Sequence, residues 1–387
     1  MRYIGAQAKG LRMPIINPGD PLAELVAVQL AAASAAEGTE LKPDDIIAVT
    51  EAVVGKAQKN YVKIDDIAED IKQKYPGGTV GVVFPIMSRN RFLNILKGIT
   101  AGAKKVYVLL AFPADEQGNP LADMELYDDI ADAMPPGPVP ADVYKKLAGT
   151  YLHPFTGVDY IELYESAGAS VYVSSNPRDI LKLTPHVLAA DIQNRFITQK
   201  RLLKAGAKTV YTLSDVMSAS VNGSGFNEKY GVLGSNLATD DTLKLFPREC
   251  EAFIYELQDK IFGKTGVRPE VMVYGDGAYK DPERGIWEFA DPVVSPAFTE
   301  RLGGMPNEIK IKMVADQYLA DLKGEAKSEA VREMIRQKSD DNPYNEGTTP
   351  RKFFNLLGSL CDLVSGSGDK GTPVVWVRGY FDNYATE

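Results

Sequence analysis

The side chains best suited to chemistry in this 387-residue chain lie between Lys229 and Lys280. The glycine-rich run KYGVLGSNLATDDTLKLFP carries paired acids, Asp240 and Asp241. Further on, VRPEVMVYGDGAYK holds a short apolar run, Val271 to Tyr274, that delivers Asp276 between Gly275 and Gly277. Glycine beside an acid at a strand end lets the backbone turn sharply and lets a bulky anionic ligand come close. Carboxylates from two such turns can converge on a hard divalent cation, which takes oxygen ligands and bridges to phosphates. The same spacing also fits two ordinary turns capped by aspartates.

Four basic positions belong to the same question. Lys56 follows the buried run Ile46 to Thr50 by about two helical turns, where it can reach a phosphate at the strand end or simply solvate its helix. Asn90-Arg91-Phe92 recurs as Asn194-Arg195-Phe196, and Ala101-Gly102-Ala103-Lys104 recurs as Ala205-Gly206-Ala207-Lys208, both offset by 104 residues. Each Asn-Arg stands where a helix should begin, a place to hold an anion or to cap the helix. Arg378-Gly379 follows a buried strand and suits either a phosphate or carboxylate ligand or a structural ion pair.

Other chemistries lack their residues. There is no G-x-x-x-x-G-K-[ST] loop and no G-x-G-x-x-G after a strand. Cys250 and Cys361 lie far apart, as do His153 and His186, so neither a zinc site nor a Ser-His-Asp triad is supported. The remaining carboxylates, lysines, arginines and backbone amides suit phosphoryl transfer, in which charge neutralisation outweighs side-chain nucleophilicity. A net charge of −9 argues against a broad nucleic-acid or anionic-membrane surface. No segment reaches the roughly 20 apolar residues of a membrane span, and free thiols fit a reducing compartment; a cytoplasmic protein is expected.

The elements that must position these residues follow from hydrophobic period and turn chemistry. Asp20, in Pro18-Gly19-Asp20-Pro21, is placed to cap a helix starting at Leu22, and Ile46 to Thr50 reads as a buried strand. Each copy of the repeat reads as strand, turn, helix, Ala-Gly-Ala-Lys turn, strand: Val80 to Ile86 then Val106 to Ala111, and Val187 to Ala189 then Val210 to Leu213. Two βαβ units predict parallel sheet with right-handed connections. Ile309 to Leu322, Ser328 to Lys338 and Phe353 to Val364 read as helices, and Pro373 to Val377 as a buried strand.

With these residues in place, the chain resembles the GTP-dependent ligase family that adds L-glutamate to the deazaflavin precursor coenzyme F420-0. The resemblance lies in Gly10-Leu11-Arg12-Met13-Pro14-Ile15 with Gly19-Asp20-Pro21-Leu22, in Asp45 to Ala57, in Tyr230 to Asp240, in Val271 to Tyr279, and in Gly371 to Gly379. Together these cover about 1–65 and 225–387. The resemblance implies an α/β to α+β fold: a split ligase-like core, 1–77 and 221–387, around an inserted domain, 78–220, that carries the duplicated βαβ unit. By position it implies Asp240, Asp276 and Gly277 as ligands of a divalent metal, Mg2+ or Mn2+. It places Leu11, Arg12, Met13, Pro14, Glu51, Ala52 and Lys56 near GTP, with Lys56, Asp240 and Asp276 serving catalysis. L-glutamate and a small carboxylate acceptor are the implied substrates, and a homodimer the implied assembly. The sequence departs from the family at Glu51-Ala52, where the family has Gln-Lys, at Asp241-Thr242-Leu243, and at Gly275-Asp276-Gly277, where it has Ser-Asp-Thr. Those departures keep open the same chemistry on another metabolite, or a catalytically inactive ligand-binding homologue.

Overall fold

Ile46–Thr50 is apolar at nearly every position, the pattern of a strand covered on both faces. It forms the centre of a five-stranded sheet in the order Gln7–Leu11, Val374–Arg378, Ile46–Thr50, Glu270–Tyr274, Ala297–Phe298. The structure, a computed structural model, describes residues 3–275, 295–339, 352–365 and 369–386. Asp276, Gly277 and residues 340–351 of the polar loop lie outside the described residues.

Among the described residues of this sheet only the pair Ile46–Thr50 and Glu270–Tyr274 is parallel; its neighbours run antiparallel. Ile47, Val49, Val271, Val273 and Trp376 pack on one face against helices Leu22–Ala36 and Cys250–Thr265. Ile46, Ala48, Met272, Val375 and Val377 pack on the other against helix Phe353–Ser365. Asp20 does not cap the helix at Leu22: its carboxylate accepts the Asn17 N–H at 2.6 Å and closes the preceding turn instead. In the C-terminal region Ile311–Met313 is α-helical, Val314–Tyr318 continues with wider π-type turns, and Gly324–Arg336 forms a separate helix. Among the described residues no helix is long and apolar enough to cross a membrane.

The middle of the chain builds a second, six-stranded sheet. Its five parallel strands lie in the order Ser170–Ser174, Lys105–Ala111, Thr79–Val83, His186–Ala189, Thr209–Thr212, with Val139–Pro140 antiparallel at one edge. Both repeat copies are parallel strand–helix–strand units, with helices Phe92–Gly102 and Arg195–Lys204. With the five parallel strands numbered along the chain the order is 3-2-1-4-5, so chain direction across the sheet reverses between Thr79–Val83 and His186–Ala189. Such a reversal opens a crevice at the strands' carboxyl ends, and the two Asn-Arg pairs flank it. Here the crevice is filled. The Glu116 carboxylate accepts N–H groups of Ile192, Gln193 (3.0 Å) and Asn194 (3.4 Å) ahead of the second helix, so the anion at that helix start comes from the chain itself. Val232, Leu233, Gly234 and Ser235 cover the rest, lining with Ile86, Arg91 and Ile192 a residual cavity of only about 20 Å³.

The repeated Ala-Gly-Ala-Lys segments do different jobs. Gly206 takes φ +99° in an open turn, the left-handed region that favours glycine. Gly102 is the last residue of its helix, and a Cβ there would sit 2.3 Å from the Ala68 carbonyl oxygen of helix Ile64–Lys74. Close helix packing is its reason for lacking a side chain.

His153 is buried beside this sheet. Its Nδ1 accepts the Thr156 N–H at 3.2 Å, so Nε2 carries the proton and donates to Asn119 Oδ1 at 3.2 Å. Burial, and after it the charge of Arg89, holds the imidazole below its ordinary pKa. The folded ring therefore resists a proton that the unfolded ring accepts near pH 6.5, and stability falls as pH drops through about 6.5 toward the lowered folded value. We expect His153→Gln to flatten the fall of the urea midpoint between about pH 7.5 and 5.5. Equal slopes in the two proteins would refute this.

Candidate functional site

The register of the five-stranded sheet collects distant residues at one edge. Leu11 pairs with Val374, Val374 with Val49, and Thr50 with Tyr274. Met13 N–H donates to Gly371 O, and Thr50 N–H to Pro373 O, both at 3.0 Å. The segment Leu11-Arg12-Met13-Pro14, the helix start at Glu51-Ala52 and the strand end leading to Asp276 thus lie along the same margin. The carboxyl ends of parallel strands are where open α/β sheets take ligands. Lys56 stands half-buried in the last turn of helix Glu51–Ala57.

Asp240 is placed elsewhere. Strands Asn236–Thr239 and Thr242–Lys244 form a hairpin, and Asp240-Asp241 is its exposed turn. Asp241 accepts hydroxyls of Thr239 (2.8 Å) and Thr242 (2.9 Å), and these bonds hold its carboxyl below the usual range. The opposite end of the hairpin, where Lys244 faces Asn236, is the end that reaches Glu51. The Lys244 ammonium contacts both Glu51 oxygens, at 3.1 and 2.9 Å, with the carboxylate fully buried. Where the resembled family has Gln-Lys, this chain has a buried acid and brings its cation from 193 residues away.

Two buried asparagines lock the glycine-rich segment in place. Asn60 donates to Phe226 O (3.0 Å) and Phe246 O (2.7 Å) and accepts Phe226 N–H (3.0 Å). Asn227 donates to Phe246 O (3.2 Å) and Pro247 O (3.0 Å) and accepts the N–H groups of Lys229 and Tyr230. Gln58 closes the seam by exchanging two hydrogen bonds with the Arg248 backbone. Between these strips lies a cleft of about 250 Å³ lined by Lys229, Tyr230, Arg248 and Cys250, among others. Pro296 also lines it, next to Ala297, which pairs with Val273 close to the strand end. Burial, with Glu51 adding and Lys229 opposing, pushes the Cys250 thiol up to about 12, so it stays protonated and is no nucleophile at neutral pH.

Sequence reasoning missed Lys244, Asn60, Asn227 and the cleft. Asn60 stands just before a strand in a polar run, and nothing in the sequence marks its amide as buried. Arg378 resolves as a structural ion pair: its Nε lies 3.3 Å from Asp45, which also accepts Trp376 Nε1 at 2.9 Å. Among the described residues no group of three His, Cys, Asp or Glu side chains could hold a metal ion. Asp240 is exposed on the far turn and Glu51 is neutralised by Lys244, so the described donors do not by themselves form a metal site. A protein-family model described as F420-0:Gamma-glutamyl ligase matches residues 10–379, bounds that enclose the repeat-bearing segment. Among curated proteins the chain has no match.

Proposed function

The chain belongs to the F420-0:gamma-glutamyl ligase family, and on that premise we propose that it joins L-glutamate to a carboxylate acceptor through an amide bond, with GTP as co-substrate and coenzyme F420-0 as acceptor. The observation that carries this reading is the gathering of Leu11 to Pro14, Glu51-Ala52 and the strand end at Tyr274 on one sheet margin beside a cleft lined by both cations and carboxylates. In the proposed sequence an acceptor carboxylate oxygen takes the terminal phosphoryl group of GTP, giving an acyl phosphate and GDP. The glutamate amine then attacks the acyl carbon, the C–N bond forms, phosphate leaves and the amine loses a proton.

This chain's residues contribute placement. Lys56 and the Leu11 to Pro14 segment border the position proposed for the phosphates, and Asn60 and Asn227 hold the cleft wall. A divalent metal, Mg2+ or Mn2+, would supply charge neutralisation. In this reading it is held by Asp276 and Gly277; Asp240, on the exposed far turn of its hairpin, does not join them in the described arrangement, and no step is derived through the metal. The segment 78–220 is read as a domain inserted into a core of 1–77 and 221–387. A cytoplasmic homodimer completes the proposal.

The test is product formation by purified protein supplied with coenzyme F420-0, L-glutamate, GTP or ATP, and Mg2+ or Mn2+. We expect a product heavier by one glutamyl residue that requires nucleotide. GTP at about a hundred times its Kd should also raise stability by about 2.7 kcal/mol. Product from another carboxylate alone would move the acceptor assignment; no product and no nucleotide-dependent stabilisation would favour an inactive ligand-binding homologue.

A further inference from the structure

Resting on the ligase reading above, we propose that the cleft between Phe226–Tyr230 and Pro247–Cys250 is the subsite for the amino-acid substrate, and that it recognises an acidic α-amino acid through Lys229 and Arg248. Among the described residues neither cation forms a salt bridge, and Arg248 Nε is buried without a hydrogen-bond partner. Both lie against rings: the Arg248 guanidinium is 4.4 Å from the Phe226 centroid and the Lys229 ammonium 5.1 Å from that of Tyr230. Ring faces orient a cation while leaving its N–H groups free for an anion. The 16-residue helix Cys250–Thr265 also starts here, adding its positive end to the same space.

The remaining charges decide what kind of anion fits. Glu228 and Glu249 line the same cleft. Two carboxylates beside two cations disfavour a polyphosphate, but they complement the ammonium of an amino acid whose two carboxylates meet Lys229 and Arg248. Size agrees, since about 250 Å³ falls below the roughly 300–1,000 Å³ of drug-sized ligand pockets. The position agrees as well. Pro296 brings the cleft beside the end of Glu270–Tyr274, so a bound amine lies near the sheet margin proposed for the acyl phosphate.

The experiment is calorimetric titration of the full-length protein, with and without GTP and Mg2+, using L-glutamate, L-glutamine, glutarate and inorganic phosphate. Wild type should bind L-glutamate, with glutamine (one carboxylate fewer) and glutarate (no ammonium) each weaker by about tenfold or more. Lys229→Gln changes an exposed side chain and keeps the fold; it and Arg248→Gln, checked by melting temperature, should each weaken L-glutamate about tenfold or more and leave GTP affinity unchanged. Unchanged glutamate affinity in folded Lys229→Gln, no glutamate binding by wild type in either condition, or binding of phosphate in preference to glutamate overturns the inference. The two readings fail separately. Amide formation with an unchanged KM for glutamate in the variants removes this subsite and leaves the ligase; charge-dependent glutamate binding without any amide product does the reverse.

Discussion

Lys244→Met destabilises the protein by about 3–5 kcal/mol, because it leaves the Glu51 carboxylate buried without its cation. Glu51 keeps further contacts, which favour the lower end of that range. Desolvation of the carboxylate, more than the lost attraction, sets the cost. The double variant Lys244→Met/Glu51→Gln should therefore recover most of the loss, since neither charge then needs a partner. Urea unfolding at neutral pH reads both. A loss under about 1 kcal/mol in the single variant, or no recovery in the double, would show that the pair is not the buried bridge described above.

Gly231→Ala should cost about 2–5 kcal/mol. Gly231 has φ +53°, a conformation that costs an L residue about 1–2 kcal/mol. Its added Cβ would also lie 2.4 Å from Val216 O, 2.6 Å from Ser214 O and 2.7 Å from Leu213 O. Those atoms are backbone at the end of the six-stranded sheet and cannot rotate away, so overpacking adds about 1–3 kcal/mol. Gly38 is the control: its φ is +58°, but a Cβ there meets nothing within 4 Å. Gly38→Ala should therefore show the backbone share alone. Equal losses in the two variants would mean that the seating of Tyr230 to Ser235 on the sheet is loose.

Much of the framework was legible because it depends on local pattern. The apolar run Ile46 to Thr50 became the central strand, and both repeat copies formed parallel strand–helix–strand units. Phe353 to Val364, read as one apolar helix, forms Phe353–Ser365. Less legible was the role of identical short motifs. Ala-Gly-Ala-Lys occurs twice, yet Gly102 serves a helix contact and Gly206 a turn, because the neighbouring helix approaches only the first.

The sequence by itself determined which segments are apolar enough to be buried, where the chain turns, and which family the ordered motifs resemble. Those properties live within a few residues of each other. Tertiary structure alone decided that Glu51 meets Lys244, that Asp240 sits on the exposed end of its hairpin, and that Glu116 meets the helix start where the sequence left an anion and a simple cap both open. Each depends on strand register or on contacts tens to hundreds of residues apart. A carboxylate's partner is set by which backbone is brought within about 3 Å of it, and sheet packing, not residue type, settles that distance.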